Sequence, residues 1–188
     1  MRINKLKPNF DRLEKMMALP LLWLGAGALA LLATKEYSNE TRIKSRIALM
    51  PSEGKQSVIP VDGAIVSCGI YGLFEHTGIW LDGNIIELKG NGLIRGISTK
   101  RFLQNRSGEF IYIACDQAEQ PLVAELAAKR ATEQLFQYSE YHLFKNNCHK
   151  FVWQCISGEK QQLTRFSDLN SKMAAFFNSS IHWQKALV

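Results

Sequence analysis

The dipeptide Asp82-Gly83 is the tightest constraint this chain carries. It stands between two apolar runs, His76-Thr77-Gly78-Ile79-Trp80-Leu81 and Asn84-Ile85-Ile86-Glu87-Leu88-Lys89. Asp-Gly in that setting specifies a two-residue type I′ hairpin, because both central residues of the turn need positive φ. Leu81 then pairs with Asn84, and Gly78 lies opposite Glu87. Side chains alternate between faces, so Ile79, Leu81, Ile86 and Leu88 share one face, the natural core side. His76, Gly78, Trp80, Ile85 and Glu87 share the other. His76 and Glu87 come out as diagonal neighbours about 7–8 Å apart at the backbone, within reach of long side chains. Gly78 leaves room between them. A three-residue loop would flip one strand and separate the pair.

The second informative stretch is Asn146-Asn147-Cys148-His149-Lys150-Phe151-Val152. It reads as a helix start with asparagine as N-cap. Cys148, Phe151, Val152, Cys155 and Ile156 follow helical spacing and form one apolar face. A thiol on the first turn feels the positive end of the helix dipole, which favours the thiolate. Two readings follow for Cys148: a small buried hydrophobe opening a core helix, or a nucleophile. His76 with an aligned carboxylate supplies what the nucleophile reading needs, a base and the group that orients it.

Composition excludes some classes. The chain of 188 residues carries a formal net charge of +6, with no dense Lys/Arg stripe interleaved with aromatics. Nucleic-acid binding is not expected. The four cysteines, Cys68, Cys115, Cys148 and Cys155, have neither CxxC spacing nor the density of a disulfide scaffold. They read as free thiols, and no metal site or cofactor is expected.

Along the chain, residues 1–15 are polar and basic. Residues 16–34 contain no charged side chain, and their length of about 19 residues suits a helix crossing a bilayer core. They are apolar on all faces, as a helix in lipid is. A cleavable signal peptide and a re-entrant or interfacial helix are the competing readings of this segment. Basic residues flank it on both sides, so the positive-inside rule does not orient it. Residues 35–56 read as a charged linker or short helix, and residues 57–180 as the folded domain. Strands are expected at Ala64–Cys68, His76–Leu81, Asn84–Lys89 and Phe110–Ala114. Helices are expected from Asp116 onward, with Pro121 in the first turn, from Cys148, and from about Ser167. Residues 181–188 read as a loose amphipathic tail. Strands followed by helices give an α+β domain, an antiparallel sheet packed against helices.

His-Thr-Gly-Ile-Trp at 76–80 and Asn-Cys-His-Lys-Phe-Val at 147–152, with Ile-Ile-Glu-Leu between them, resemble the lecithin:retinol acyltransferase-like domain. The resemblance covers roughly Pro60 to Gly158. It implies a circularly permuted NlpC/P60, papain-like fold with Cys148 as nucleophile, His76 as general base and Glu87 as the third member, orienting His76. Vertebrate members carry histidine at that third position; this chain has glutamate, after a turn one residue shorter. His149 stands where the family usually has an acid and Lys150 where it usually has histidine, and neither receives a role from the pattern. The oxyanion site has one generic candidate, a backbone N–H at the start of the Cys148 helix.

The resemblance implies acyl transfer through a Cys148 thioester, with glycerophospholipid or another acyl-lipid as donor and water, an amine or an alcohol as acceptor. The expected protein is a single-pass membrane enzyme, an acyltransferase or phospholipase A, with no protein partner foreseen and the side of the catalytic domain open. Two alternatives stand beside it. One is a cysteine peptidase or amidase of the NlpC/P60 or PPPDE kind. The other is a membrane-tethered domain whose site has lapsed.

Overall fold

The computed structural model describes residues 38–71 and 74–188. The chain divides into two compact units, Met1–Thr41 and Arg42–Val188, and the sheet and site belong to the second. The apolar segment expected to be a membrane helix, residues 16–34, lies outside the described residues. Among those described, no helix is long and apolar enough to cross a membrane.

Residues 38–44 are helical (α1). The strands are β1 (Ile47–Leu49), β2 (Ser57–Val58), β3 (Ile65–Ile70), β4 (Phe74–Leu81), β5 (Asn84–Leu88), β6 (Ile94–Ser98), β7 (Tyr112–Cys115) and β8 (Ile181–Ala186). The remaining helices are α2 (Thr99–Leu103), α3 (Ala127–Glu133), α4 (Cys148–Ser157) and α5 (Phe166–Phe176). All the strands join one sheet in the order β1-β8-β7-β3-β4-β5-β6, with β2 also paired to β8. The fold is α+β, as expected.

Asp82 and Gly83 both take positive φ, 45° and 71°, which is the type I′ turn. The ladder is Leu81 to Asn84, Trp80 to Ile85 and Ile79 to Ile86. Asp62 reinforces the turn, its Oδ1 accepting from the Asp82 N–H at 2.8 Å. The expected face assignment therefore holds, but both faces are buried. Ile79, Ile86 and Leu88 enter one core with Ala131 of α3, Phe151, Val152 and Ile156 of α4, and Leu169 and Met173 of α5. Trp80 and Ile85 enter a second core with Val66, Ile97, Ile113 and Phe102 of α2. Gly78 has a packing reason to be glycine. A Cβ there would stand 2.6 Å from Ile85 Cγ2 and 2.9 Å from the Ile86 carbonyl oxygen.

Three expectations are corrected. The sheet is not wholly antiparallel, since β1 and β2 run parallel to β8. Nearly the whole domain separates these partners in sequence, so no hairpin dictates their relative direction. Residues 181–188 are not a loose tail: Ile181–Ala186 form β8, which lies between β1 and β7. Ile181 and Trp183 are fully buried, and Trp183 Nε1 donates to Asn170 Oδ1 at 2.9 Å. No helix starts at Asp116. Its Oδ1 accepts from the N–H groups of Ala118 and Gln120, closing a tight turn with Glu119 at φ 63°. The chain then doubles back along β7, where the Leu122 N–H donates to the Ala114 carbonyl, and α3 begins only at Ala127.

Candidate active site

Asn147 is the N-cap of α4. Its backbone is extended, and its side-chain oxygen accepts from the Lys150 N–H at 3.1 Å. Its Nδ2 donates to the carbonyls of Leu143 at 2.8 Å, Leu163 at 2.9 Å and Thr164 at 3.2 Å. One buried amide therefore caps the helix and ties its start to the chain on both sides. Asn146 closes the preceding loop, donating to Ser139 Oγ and to the Glu140 carbonyl. At the other end, Gly158 at φ 82° terminates the helix. There Arg130 Nη1 donates to the carbonyls of Cys155 and Ile156, placing a cation where the dipole is negative. Cys148 is thus the first residue of a helix fixed at both ends.

His76 on β4 and Glu87 on β5 meet as the hairpin register requires. His76 Nε2 donates to Glu87 Oε2 at 2.7 Å. Glu87 is completely buried and His76 nearly so, at 0% and 5% exposed. The Phe102 ring of α2 lies 5.2 Å from the imidazole, centroid to centroid. The carboxylate has two further partners that the motifs did not indicate. Arg95 Nε and Nη2 both donate to Oε1, at 2.9 and 2.7 Å. Arg106 Nη2 donates to Oε2 at 2.8 Å, with its guanidinium 4.7 Å above the Phe102 ring. Arg95 was within reach of sequence reasoning. The Asn91-Gly92 turn returns β6 along β5 and sets Arg95 opposite Glu87, an opposite-charge cross-strand pair. Arg106 comes from the loop after α2 and leaves no local pattern.

Burial alone would push the Glu87 carboxyl up. The hydrogen bond and charge of His76, and those of Arg106, outweigh it and hold the group at about 2. For His76, burial disfavours the charged ring. The charge and hydrogen bond of Cys148, then the bond to Glu87, raise it above its ordinary value, with Arg106 opposing. Both the thiolate and the carboxylate favour the imidazolium.

Cys148 faces two imidazoles. Burial of its thiol acts upward, but the charges of His149 and His76 outweigh it and bring it well below the ordinary thiol range. His149 Nδ1 lies 3.8 Å from Cys148 Sγ and 3.1 Å from Thr77 Oγ1. Neither contact follows from the motif spacing, since Thr77 belongs to the opposite face of β4 from His76. The other thiols differ. Cys68, Cys115 and Cys155 are free and buried, and burial pushes each up to about 12. Tyr141, also within charge reach of Cys148, is pushed up to about 12, first by burial. A groove of about 450 Å³ runs past Phe74, Glu75, Gly108, Phe110 and Tyr112. Glu75 ties it to the site, feeling the charges of both His149 and Cys148. Among the described residues, no group of three or more His, Cys, Asp or Glu is placed to hold a metal ion.

The sequence model of the lecithin retinol acyltransferase family matches residues 61–161, more than half of the chain. The chain belongs to the lecithin retinol acyltransferase family. No curated protein matches it. The matched segment begins just before β3 and ends just beyond α4, so it contains His76, Glu87 and Cys148. Membership supports an enzyme of the broad acyltransferase or thiol-enzyme kind and agrees with the permuted NlpC/P60 placement. Within the lecithin retinol acyltransferase frame, this chain places Glu87 with two arginines behind His76 and the imidazole of His149 beside Cys148.

Proposed function

We propose that the protein is a cysteine-dependent acyltransferase or phospholipase A. It acts on glycerophospholipid esters through an acyl-thioester on Cys148. The observation that carries this reading is one buried thiol at a helix N-terminus, drawn into the thiolate form by imidazoles, one of which is anchored on Glu87 at 2.7 Å. That is the arrangement of an activated nucleophile with its base and orienter.

Because His76 Nε2 is committed to Glu87, Nδ1 is the ring nitrogen left for the thiol. His76 takes the Cys148 proton, and the thiolate attacks the ester carbonyl, forming a C–S bond. The helix dipole and a backbone N–H at the start of α4 stabilise the oxyanion. Collapse breaks the C–O bond, and His76 returns the proton to the departing lysophospholipid oxygen. The acceptor then gives its proton to His76 as it attacks the thioester, and the C–S bond breaks to restore the thiolate. Water as acceptor yields a free fatty acid; an alcohol or amine yields a new acyl-lipid. The apolar run at residues 16–34 suits a substrate that lives in a bilayer, and we assign it as a single-pass anchor.

The test incubates the full chain with vesicles of acyl-labelled phosphatidylcholine and looks for an acyl adduct on the Cys148 peptide by mass spectrometry. The expected result is a hydroxylamine-labile adduct and acyl release, both abolished in Cys148→Ala. Release by Cys148→Ala at the parent rate overturns the reading. Cleavage of murein peptide in place of lipid moves it to the peptidase alternative.

A further inference from the structure

His149 occupies a position the family pattern gives to an acid, and it does not turn away from the site. It is 7% exposed and held on three sides: by Thr77 of β4 at 3.1 Å, by Cys148 Sγ at 3.8 Å, and by the Phe166 ring of α5 at 5.8 Å between centroids. An acid here would set a negative charge beside the thiolate. An imidazole sets a donor there instead, positive when protonated. His76, meanwhile, is bound to a carboxylate that two guanidiniums already neutralise.

We propose that His149 is a second positioning imidazole, which donates Nδ1–H to the Cys148 thiolate and keeps it charged independently of His76. The inference rests on Cys148 being the nucleophile, as above, and assigns a division of labour within that site. His149 holds the nucleophile ionised, and His76 carries the proton between thiol, leaving group and acceptor. The single Nδ1–H is shared between Thr77 Oγ1 at 3.1 Å and the sulfur at 3.8 Å, a bifurcated bond that negative charge on sulfur draws toward Cys148. The neighbouring ionisable groups leave this role to the two histidines. Cys68 of β3 and Tyr141 of the loop before α4 are pushed up to about 12 and stay neutral. Glu75 of β4 lies within charge reach of both His149 and Cys148, held above the usual carboxylate range first by burial.

The test is the pH dependence of Cys148 alkylation by iodoacetamide in the full chain, read by peptide mass, for the parent, His149→Gln, His149→Glu, His76→Gln and the double variant His76→Gln/His149→Gln. Alkylation needs no lipid substrate. A parent chain that shows no lipid turnover therefore sinks the proposed function without touching this measurement. In His149→Gln the midpoint should rise by about one unit or more, a roughly tenfold loss of alkylation rate at pH values below it, with lipid turnover recovering as the pH is raised. His149→Glu, which restores the acid that the family usually carries, should raise it further and carries the test if the glutamine variant fails to fold. His76→Gln should keep a low midpoint yet lose turnover at every pH. The double variant should raise the midpoint to the ordinary range near 8.5 or above it, because burial then acts with neither imidazole opposing it. A midpoint unmoved by either His149 substitution overturns the proposal. So does a His76→Gln midpoint as high as that of the double variant.

Discussion

Glu87 and Arg95 face each other across β5 and β6, joined by two hydrogen bonds at 2.7 and 2.9 Å, while Arg106 reaches the other carboxylate oxygen at 2.8 Å. The carboxylate that orients His76 is therefore itself clamped. Its charge is shared between His76 and the guanidiniums, and its bond to Nε2 leaves Nδ1 for the thiol.

Glu87→Ala should be severely destabilising. Removing the centre of a buried ion network leaves its partners uncompensated, and such changes cost on the order of 3–5 kcal/mol. Urea denaturation measures this directly. Glu87→Gln keeps an acceptor for His76 but leaves both arginines without their counter-charge. It should retain the fold and lower kcat/KM by roughly 100-fold, the lower end of what a positioned acid–base group contributes.

The same carboxyl sets part of the acid stability. Its folded value of about 2 lies below the unfolded 4.5, so the folded state binds its proton less readily. The stabilisation is fully present above the unfolded value and is lost as pH falls through about 2. A shift of that size corresponds to on the order of 3 kcal/mol. Denaturation free energies taken between pH 5 and pH 2 should fall steeply in the parent and less steeply in Glu87→Gln.

Turnover should follow a bell in pH. The rising limb tracks Cys148, whose thiol lies well below its ordinary range, so activity survives well below pH 8. The falling limb tracks loss of the His76 proton, which is held above its ordinary 6.5, since the leaving oxygen then has no donor. The thiolate–imidazolium contact exists only between the two folded values: it is lost as pH falls through the lowered thiol value and as pH rises through the raised imidazole value. A kcat/KM profile with its acidic limb near 8.5 would contradict the ion-pair description.

Asn147→Asp separates capping from tethering. Aspartate retains the oxygen that caps α4 but cannot donate to the Leu143, Leu163 and Thr164 carbonyls. Loss of those bonds should cost about 1–3 kcal/mol, measured by thermal unfolding. Its added negative charge beside Cys148 should also raise the alkylation midpoint. If stability is unchanged, the three carbonyl contacts contribute little to the fold.

Gly78→Ala places a methyl 2.6 Å from Ile85 Cγ2 and 2.9 Å from a backbone oxygen. Relieving that clash moves β4 against β5 and disturbs the His76–Glu87 bond. A stability loss of about 1–3 kcal/mol is expected from overpacking, with a larger proportional loss of turnover than of stability.

Much of the site was legible in the chain itself, because its decisive relations are local. Asp82-Gly83 admits a turn of one kind, that turn sets one register, and the register places His76 diagonal to Glu87. Asn147 before an apolar helical face likewise announces a capped helix with Cys148 at its first position. What the sequence pattern missed is set by packing between distant segments. Glu87 is a buried carboxylate and not a surface one, because α2 and Phe102 cover the second face of the sheet. Arg106 reaches it from a loop whose path no periodicity announces. Ile181–Ala186 read as a loose end because a short strand acquires its meaning only from the partners on either side, β1 and β7. Asp116 and Pro121 looked like a helix start because turn and helix-start chemistry share the same residues; the edge of β7 decided between them. His149 follows Cys148 by one residue, and helical spacing alone points it elsewhere. Its approach to the sulfur exists only because β4 and α5 close around it, and there the two imidazoles together lower a thiol that burial alone would keep neutral.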